Sequence, residues 1–422
     1  MQRNQPRSAP DAPGVPARRA ALQLLDAVLR RGLALEQALD QAAQGLPPSD
    51  RGLSYAIASE ALRRLPDLDA LIDGATQRPL PDDAKARFAL RIALVQAMCL
   101  GTPGHAAIST VLPLVDGGPR KLVHGVFGTV TRSGATLPDP PTLPDPVAIR
   151  WHAAWGDQLI EDAELAIAAP PPLDLTLREA VDLDEAVSLL PGHARLPAGT
   201  SVTELPGFEE GKFWVQDIAA SIPARLIGAG EGKALDLCAA PGGKTLQLAS
   251  AGWDVTAIDV SESRLARLRE NLERTGLSAK IVTADLLSWH PDEPADAVLL
   301  DAPCSATGIF RRHPDVLHRV RPSLIKEMAE LQGKLLHRAS SWVRPGGTLV
   351  FATCSLEPLE GEVQLERFLA HHSAFAIDPV RADELPAGVA AGADGSLRLL
   401  PGMLAEQGRL DGFFIVRLRR NA

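Results

Sequence analysis

The order of elements in the second half of the chain predicts a doubly wound α/β domain, and the first third predicts a separate all-helical one. Three observations lead there. From Lys233 onward short apolar runs alternate with helical stretches, the βαβα order of a parallel sheet. From about Ala17 to Arg132 apolar residues recur at three-and-four spacing. Between these regions, residues 133–146 read SGATLPDPPTLPDP, proline-rich with few large apolar side chains, as linkers do. The expected organisation is multidomain: a helical domain over 17–135, a small α+β connector over 147–230 and a doubly wound, Rossmann-like domain over 231–422.

In the helical region, ARRAALQLLDAVLRRGLALEQALDQAA and ARFALRIALVQAMCL each place apolar residues on one helix face, and breaks fall at Gly45–Pro48, Pro66, Pro79–Pro81 and Gly101–Gly104. Several short helices result. The connector is mixed, with a helical stretch around Trp155–Ala168 and a break at Pro170–Pro172. Beyond it, ALDLC, DVTAID, KIVTADL, ADAVLLDAP and GGTLVFATC read as strands, and DGFFIVRLRR as a last one. LQLAS, SRLARLRENLERTG and a long segment ending at Val343 read as helices.

Composition narrows the function. At 422 residues, 45% hydrophobic and 23% charged, the chain is an ordinary globular one with room for two or three domains of about 150 residues. No apolar run approaches the roughly 18 residues that cross a bilayer, so a soluble protein is expected. The N-terminal MQRNQPRSAPDAPGVPARR has prolines where a signal peptide needs an apolar core; it reads as a disordered leader, and the location as cytoplasmic. Four cysteines without a CxxC pair make structural zinc, or any metal site, unexpected. The net charge of −9 gives no general support for a nucleic-acid partner, so any basic surface must be local.

Four constellations bear chemistry. The first is the turn in Ala234–Thr245, ALDLCAAPGGKT, at the first strand-to-helix junction. Glycines there let the backbone approach a ligand beyond the strand end. A P-loop needs glycine where Cys238 stands, and the GxGxxG of a dinucleotide site is absent, so both are excluded. The second is a series of strand-end acids, Asp259, Asp285 and Asp301. Asp259 lies about 20 residues past the turn, where a carboxylate can accept ribose hydroxyls; each of the three can equally serve as a helix cap. The third is Cys304 and Cys354, each following an apolar strand. In a sheet of order 3-2-1-4-5 those strands are neighbours, about 4.8 Å apart, so the thiols should converge. Cys238 and Cys99 read as small buried hydrophobes. The fourth is RRHPDVLHRVRPSLIK, where Arg311, Arg312, Arg319, Arg321 and Lys326 accompany one acid, Asp315. It reads as a solvated helix face or a phosphate-binding surface.

DLCAAPGGKT, DAPCSATGIFRRHPD and FATCSLEPLEGE together resemble the RNA cytosine-C5 methyltransferases of the Sun/Fmu type, which act on bacterial small-subunit ribosomal RNA. The similarity spans about residues 205–420 and is weaker in front, where DRGLSYAIASEALRRLPDLDALI resembles the NusB-like RNA-binding domain of bacterial members. Two places depart from the family: KLVHGVFGTVTR replaces a helix ending in NAVLR, and LTLRE, with Thr176 and Arg178, replaces a leucine-arginine-x-asparagine strand that contacts RNA.

The resemblance implies a class I methyltransferase domain that uses S-adenosyl-L-methionine, with Cys354 as nucleophile on C6 of cytosine and Cys304 assisting proton loss and release. Asp301 would hold the base edge, and Lys244 would lie near the cofactor carboxylate or the base. Cys238, Ala239, Ala240, Pro241, Gly242, Gly243 and Lys244 would form the cofactor turn, with Asp259 on the ribose, Asp285 on the adenine amino group and Asp301 completing the pocket. The implied substrate is an unstacked cytosine in 16S ribosomal RNA, methylated by a monomer without metal or membrane. The alternatives are transfer RNA as substrate, a non-catalytic RNA-binding or ribosome-assembly factor, and a small-molecule methyltransferase.

Overall fold

The computed structural model describes residues 12–422, so the first eleven residues of the proline-rich leader lie outside the described part. The first helix, Val15–Leu29, begins two residues ahead of the expected Ala17, with Pro16 in its first turn, where a missing backbone N–H costs nothing. The chain divides into two compact units. One runs to Ala148 and takes in His313–Arg319; the other comprises Ile149–Arg312 and Val320–Ala422.

The first unit is helical, with further helices at Leu35–Ala42, Pro48–Arg63, Leu65–Gly74, Lys85–Met98, Gly104–Val111 and Gly118–Arg132. Leu24, Leu25, Ile57, Ala61, Leu90, Leu94, Val123 and Phe127 meet in its core, as the helical spacing requires. The break expected at Pro66 falls at Arg64, between Pro48–Arg63 and Leu65–Gly74, with Pro66 in the first turn of the second helix. The buried Arg91 pairs with Asp69 at 2.7 Å and the buried Arg87 with Asp73 at 2.6 Å. The inserted segment is tied by Asp315, which accepts from the Leu35 backbone at 3.4 Å, and by His318, whose Nε2 donates to the Leu62 carbonyl at 2.7 Å.

In the second unit a three-stranded antiparallel sheet of order β2-β1-β3 is formed by β1 (Leu173–Leu177), β2 (His193–Leu196) and β3 (Phe213–Val215). The main sheet is built from β4 (Lys233–Leu237), β5 (Asp254–Asp259), β6 (Lys280–Thr283), β7 (Ala295–Asp301), β8 (Val343–Thr353), β9 (Phe375–Ile377), β10 (Leu397–Leu399) and β11 (Phe413–Arg420). Its order is β10-β11-β8-β7-β4-β5-β6, with β9 also on β11. Strands β4 to β8 are parallel in the expected 3-2-1-4-5 order, and β11 adds antiparallel to β8. The short β9 and β10 are too brief to show a period in the sequence.

The central strands are buried on both faces and therefore read as continuous apolar runs. Leu299 and Val350 face Ile222 and Leu248, whereas Leu300 and Phe351 face Leu335 and Phe368. Register then places the chemistry: Leu237 pairs with both Ile258 and Leu300, and Asp301 with Ala352. The loops after β4, β5, β7 and β8 thus leave one edge of the sheet together.

The basic stretch Arg311–Lys326 is neither a solvated face nor a phosphate surface over most of its length. Arg311 is only 2% exposed and bonds to Asp217 and, at 2.8 Å, to Asp411. Arg312 also bonds to Asp411, and Arg319 pairs with Asp315 at 2.8 Å; only Arg321 and Lys326 are exposed. The acids that neutralise the first two arginines lie about a hundred residues away in the chain, invisible to a local charge count.

Candidate active site

The turn after β4 is held open by backbone geometry. Cys238 and Gly242 both have positive φ, 62° and 112°, and a Cβ on Gly242 would collide with the Leu268 side chain. Ala239 N–H donates to the Ile258 carbonyl at 3.0 Å and Ala240 N–H to Asp259 Oδ2 at 3.1 Å, stitching the turn to β5. Pro241, Gly242 and Gly243 then lead into the helix Gly243–Ser250. Asp259 is buried and its other oxygen accepts from Ser261 N–H at 2.9 Å.

Asp236, in β4, is a site residue that the sequence reading passed over. It is fully buried; Oδ2 accepts from Thr245 Oγ1 at 2.6 Å and Oδ1 has no hydrogen-bond partner. Burial drives its pKa up to about 7, against the opposing Thr245 bond and Lys244 charge. The available signal was one acid inside an otherwise apolar strand, LDL.

Lys244 is 11% exposed, 2.7 Å from Asp301 Oδ2, and its Nζ lies 5.7 Å from the centre of the Phe413 ring. Burial pulls its pKa down, but the charge and hydrogen bond of Asp301, with Asp236 and Cys354 behind them, turn the net shift upward. Lys244 is therefore a firmly charged ammonium beside the thiols.

Cys304 and Cys354 converge as the strand order requires, their sulfurs 3.4 Å apart and both thiols free. Gly308 makes this packing possible: its N–H donates to the Cys354 carbonyl at 3.0 Å, and a Cβ there would overlap the Gly412 carbonyl. The Cys304 thiol is pushed well above its ordinary pKa, first by its hydrogen bond to Cys354 and then by burial. Cys238 is raised by burial, which suits the inert, packed role read from the sequence. Cys99, on the helical unit, is raised by burial to about 11.

Asp285 follows β6 and is exposed; its Oδ1 accepts from Leu287 N–H at 2.8 Å, capping the turn that follows. Its strand pairs with β5 at Asp259–Thr283, so it leaves the sheet beside Asp259. Thr176 and Arg178 of the connector are engaged internally, Thr176 with Gln216 at 2.9 Å and Arg178 with the Thr275 carbonyl.

Five parallel strands in this order, with a glycine turn after the first and acids and paired thiols at the following strand ends, define a Rossmann-like ligand-binding domain, here in one chain with a helical unit. The family model for 16S rRNA methyltransferase RsmB/F matches residues 226–419, and that of the NusB family matches residues 15–131. Ribosomal RNA small subunit methyltransferase B of Xanthomonas campestris pv. campestris is 36% identical over 435 residues, covering 96% of this chain and 98% of its own. The chain belongs to the RsmB/F family of 16S rRNA methyltransferases. Among solved structures, PH0851 shares the fold with a TM-score of 0.74 at 22% identity, covering 99% of this chain and 100% of its own. A methyltransferase homolog from Pyrococcus horikoshii gives a TM-score of 0.54 at 26% identity, over 66% of this chain and 95% of its own. Among the described residues, no helix is long and apolar enough to cross a membrane, and no group of three His, Cys, Asp or Glu is placed to hold a metal.

Proposed function

We propose that this protein methylates C5 of an unstacked cytosine in 16S ribosomal RNA through a covalent Cys354–C6 adduct. The observation that carries the reading is the 3.4 Å approach of two free thiols beside the Lys244–Asp301 pair. C5 of cytosine is a weak nucleophile, so a covalent route is needed.

The residues at this sheet edge suit S-adenosylmethionine chemically: Asp236 has an unsatisfied buried oxygen, Asp259 and Asp301 add acceptors for a cationic, hydroxyl-bearing ligand, and the turn Cys238–Lys244 lies beside them at the strand end. When bound, S-adenosylmethionine supplies a methyl group as a sulfonium electrophile. Asp259 would hold the ribose and Asp285 the adenine amino group. Lys244 orients Asp301, which would grip the N3 and N4 edge of the base and favour its activated form. Cys354 attacks C6 as thiolate, making C5 enamine-like. After C5 is methylated, its proton leaves to a base and the sulfur–C6 bond breaks by elimination, with Cys304 assisting. The base must be unstacked to reach the sulfurs, which favours single-stranded or loosely structured RNA.

The test is transfer of labelled methyl from S-adenosylmethionine to 16S RNA and, in a parallel reaction, to transfer RNA, followed by nucleoside analysis. Label in 5-methylcytosine, abolished by Cys354→Ala with cofactor affinity kept within a few-fold, is expected. Label in another nucleoside, or full activity of Cys354→Ala, would refute the mechanism; label only in transfer RNA would refute the substrate.

A further inference from the structure

Glu360, six residues beyond Cys354, is fully buried and takes no part in the mechanism above. Its Oε1 accepts from Ser305 N–H at 2.8 Å and from Gln332 Nε2 at 3.1 Å, and its Oε2 from the hydroxyls of Ser305 and, at 2.5 Å, Ser355. Its backbone carbonyl accepts from Thr353 Oγ1 at 3.0 Å. Ser305 adjoins Cys304, and Thr353 and Ser355 flank Cys354. Gln332 also donates to the carbonyl of Pro303, on the other side of Cys304, at 2.9 Å. One carboxylate therefore grips both thiol loops.

We propose that Glu360 is a positioning residue: its buried carboxylate, bonded to Ser305 next to Cys304 and to Ser355 next to Cys354, clasps the two loops and holds the sulfurs at contact distance. This rests on the two-thiol reading above. Tying serines together does not require a charge, and burying one is costly unless donors surround it, as four do here. Beyond the hydrogen bond to Cys354 and burial, the negative charge of Glu360 also holds the Cys304 thiol up, opposed by the Ala306 backbone N–H. Burial raises the Glu360 pKa, and the bonds from Ser305, Ser355 and Gln332 resist that rise by favouring the charged form.

Alkylation of the full free protein with substoichiometric iodoacetamide across neutral to alkaline pH, with occupancy of each cysteine read by mass spectrometry, tests this. Glu360→Gln is expected to lower the Cys304 midpoint, giving about tenfold faster Cys304 labelling at a fixed pH below it. Ser355→Ala, which removes one of the carboxylate's four bonds and keeps the charge, should leave the midpoint in place. A Cys304 midpoint unmoved in folded Glu360→Gln, or an equal shift in Ser355→Ala, would overturn the proposal. If Glu360→Gln does not fold, Glu360→Asp, which keeps the charge but shortens the reach of the clasp, is expected to slow diamide-driven Cys304–Cys354 disulfide formation several-fold, and an unchanged rate would overturn the proposal. No RNA or methyl donor is present, so failure here leaves the C5-methylation reading standing, and a methyl group found elsewhere leaves the Cys304 midpoint untouched.

Discussion

Two clusters of buried charge in the α/β unit use the same residue types and end differently. In the first, Arg311 bridges Asp217 and Asp411, and Arg312 closes on Asp411, so both carboxylates are answered by guanidinium groups. Asp217 also caps the helix Ile218–Ile227 by accepting from Ala219 N–H at 2.9 Å. In the second, Lys244 pairs with Asp301, Asp236 keeps one oxygen unanswered, and the cluster opens onto two thiols. Saturated buried charge fixes the path of the chain; buried charge left incomplete marks where a ligand can complete it. Charge or burial alone does not separate the two, whereas the state of each oxygen does.

That distinction can be broken by substitution. Arg311→Met leaves Asp217 without its cation, and denaturant unfolding should show a loss of about 3–5 kcal/mol; a change within 0.5 kcal/mol would mean that the first cluster is not structural. Asp236 should behave in the opposite way. Its folded pKa of about 7 lies above the ordinary carboxylate value, so the folded state holds a proton that the unfolded state releases. Its contribution to stability is then fully present below about pH 4 and is lost as pH rises through 7, up to about 4 kcal/mol in all. Asp236→Asn should flatten that pH dependence while weakening S-adenosylmethionine binding, as paired unfolding and titration calorimetry would show; an unchanged pH profile would contradict the assignment. The smallest effect is expected for Asp259→Ala, a loss of about 1–3 kcal/mol in cofactor binding by calorimetry. Unchanged affinity would remove its ribose role.

The sheet order, the glycine turn and the meeting of Cys304 with Cys354 were legible because they follow from local pattern and the topology of parallel sheets. What was not legible depends on partners distant in sequence. Arg311 and Arg312 look like a surface charge run until Asp217 and Asp411 are placed against them. Asp236 reads as one polar residue in a strand, and its unpaired oxygen exists only once β5 and β7 flank β4. Glu360 reads as one of several acids in SLEPLEGE, although Glu357 is turned to Arg150 at 2.9 Å and Trp151 at 3.0 Å while Glu360 alone reaches both thiol loops. Phe413, under the Lys244 ammonium, comes from a strand that no sequence period links to the glycine turn.

The claim that the two sulfurs divide attack and release is tested most directly by incubating Cys304→Ala with 16S RNA and S-adenosylmethionine and resolving the products under denaturing conditions. A protein–RNA adduct that survives denaturation, and disappears when Cys354→Ala is added to the same chain, is the predicted result. Free RNA carrying 5-methylcytosine, released by Cys304→Ala at the wild-type rate with no adduct, would contradict it.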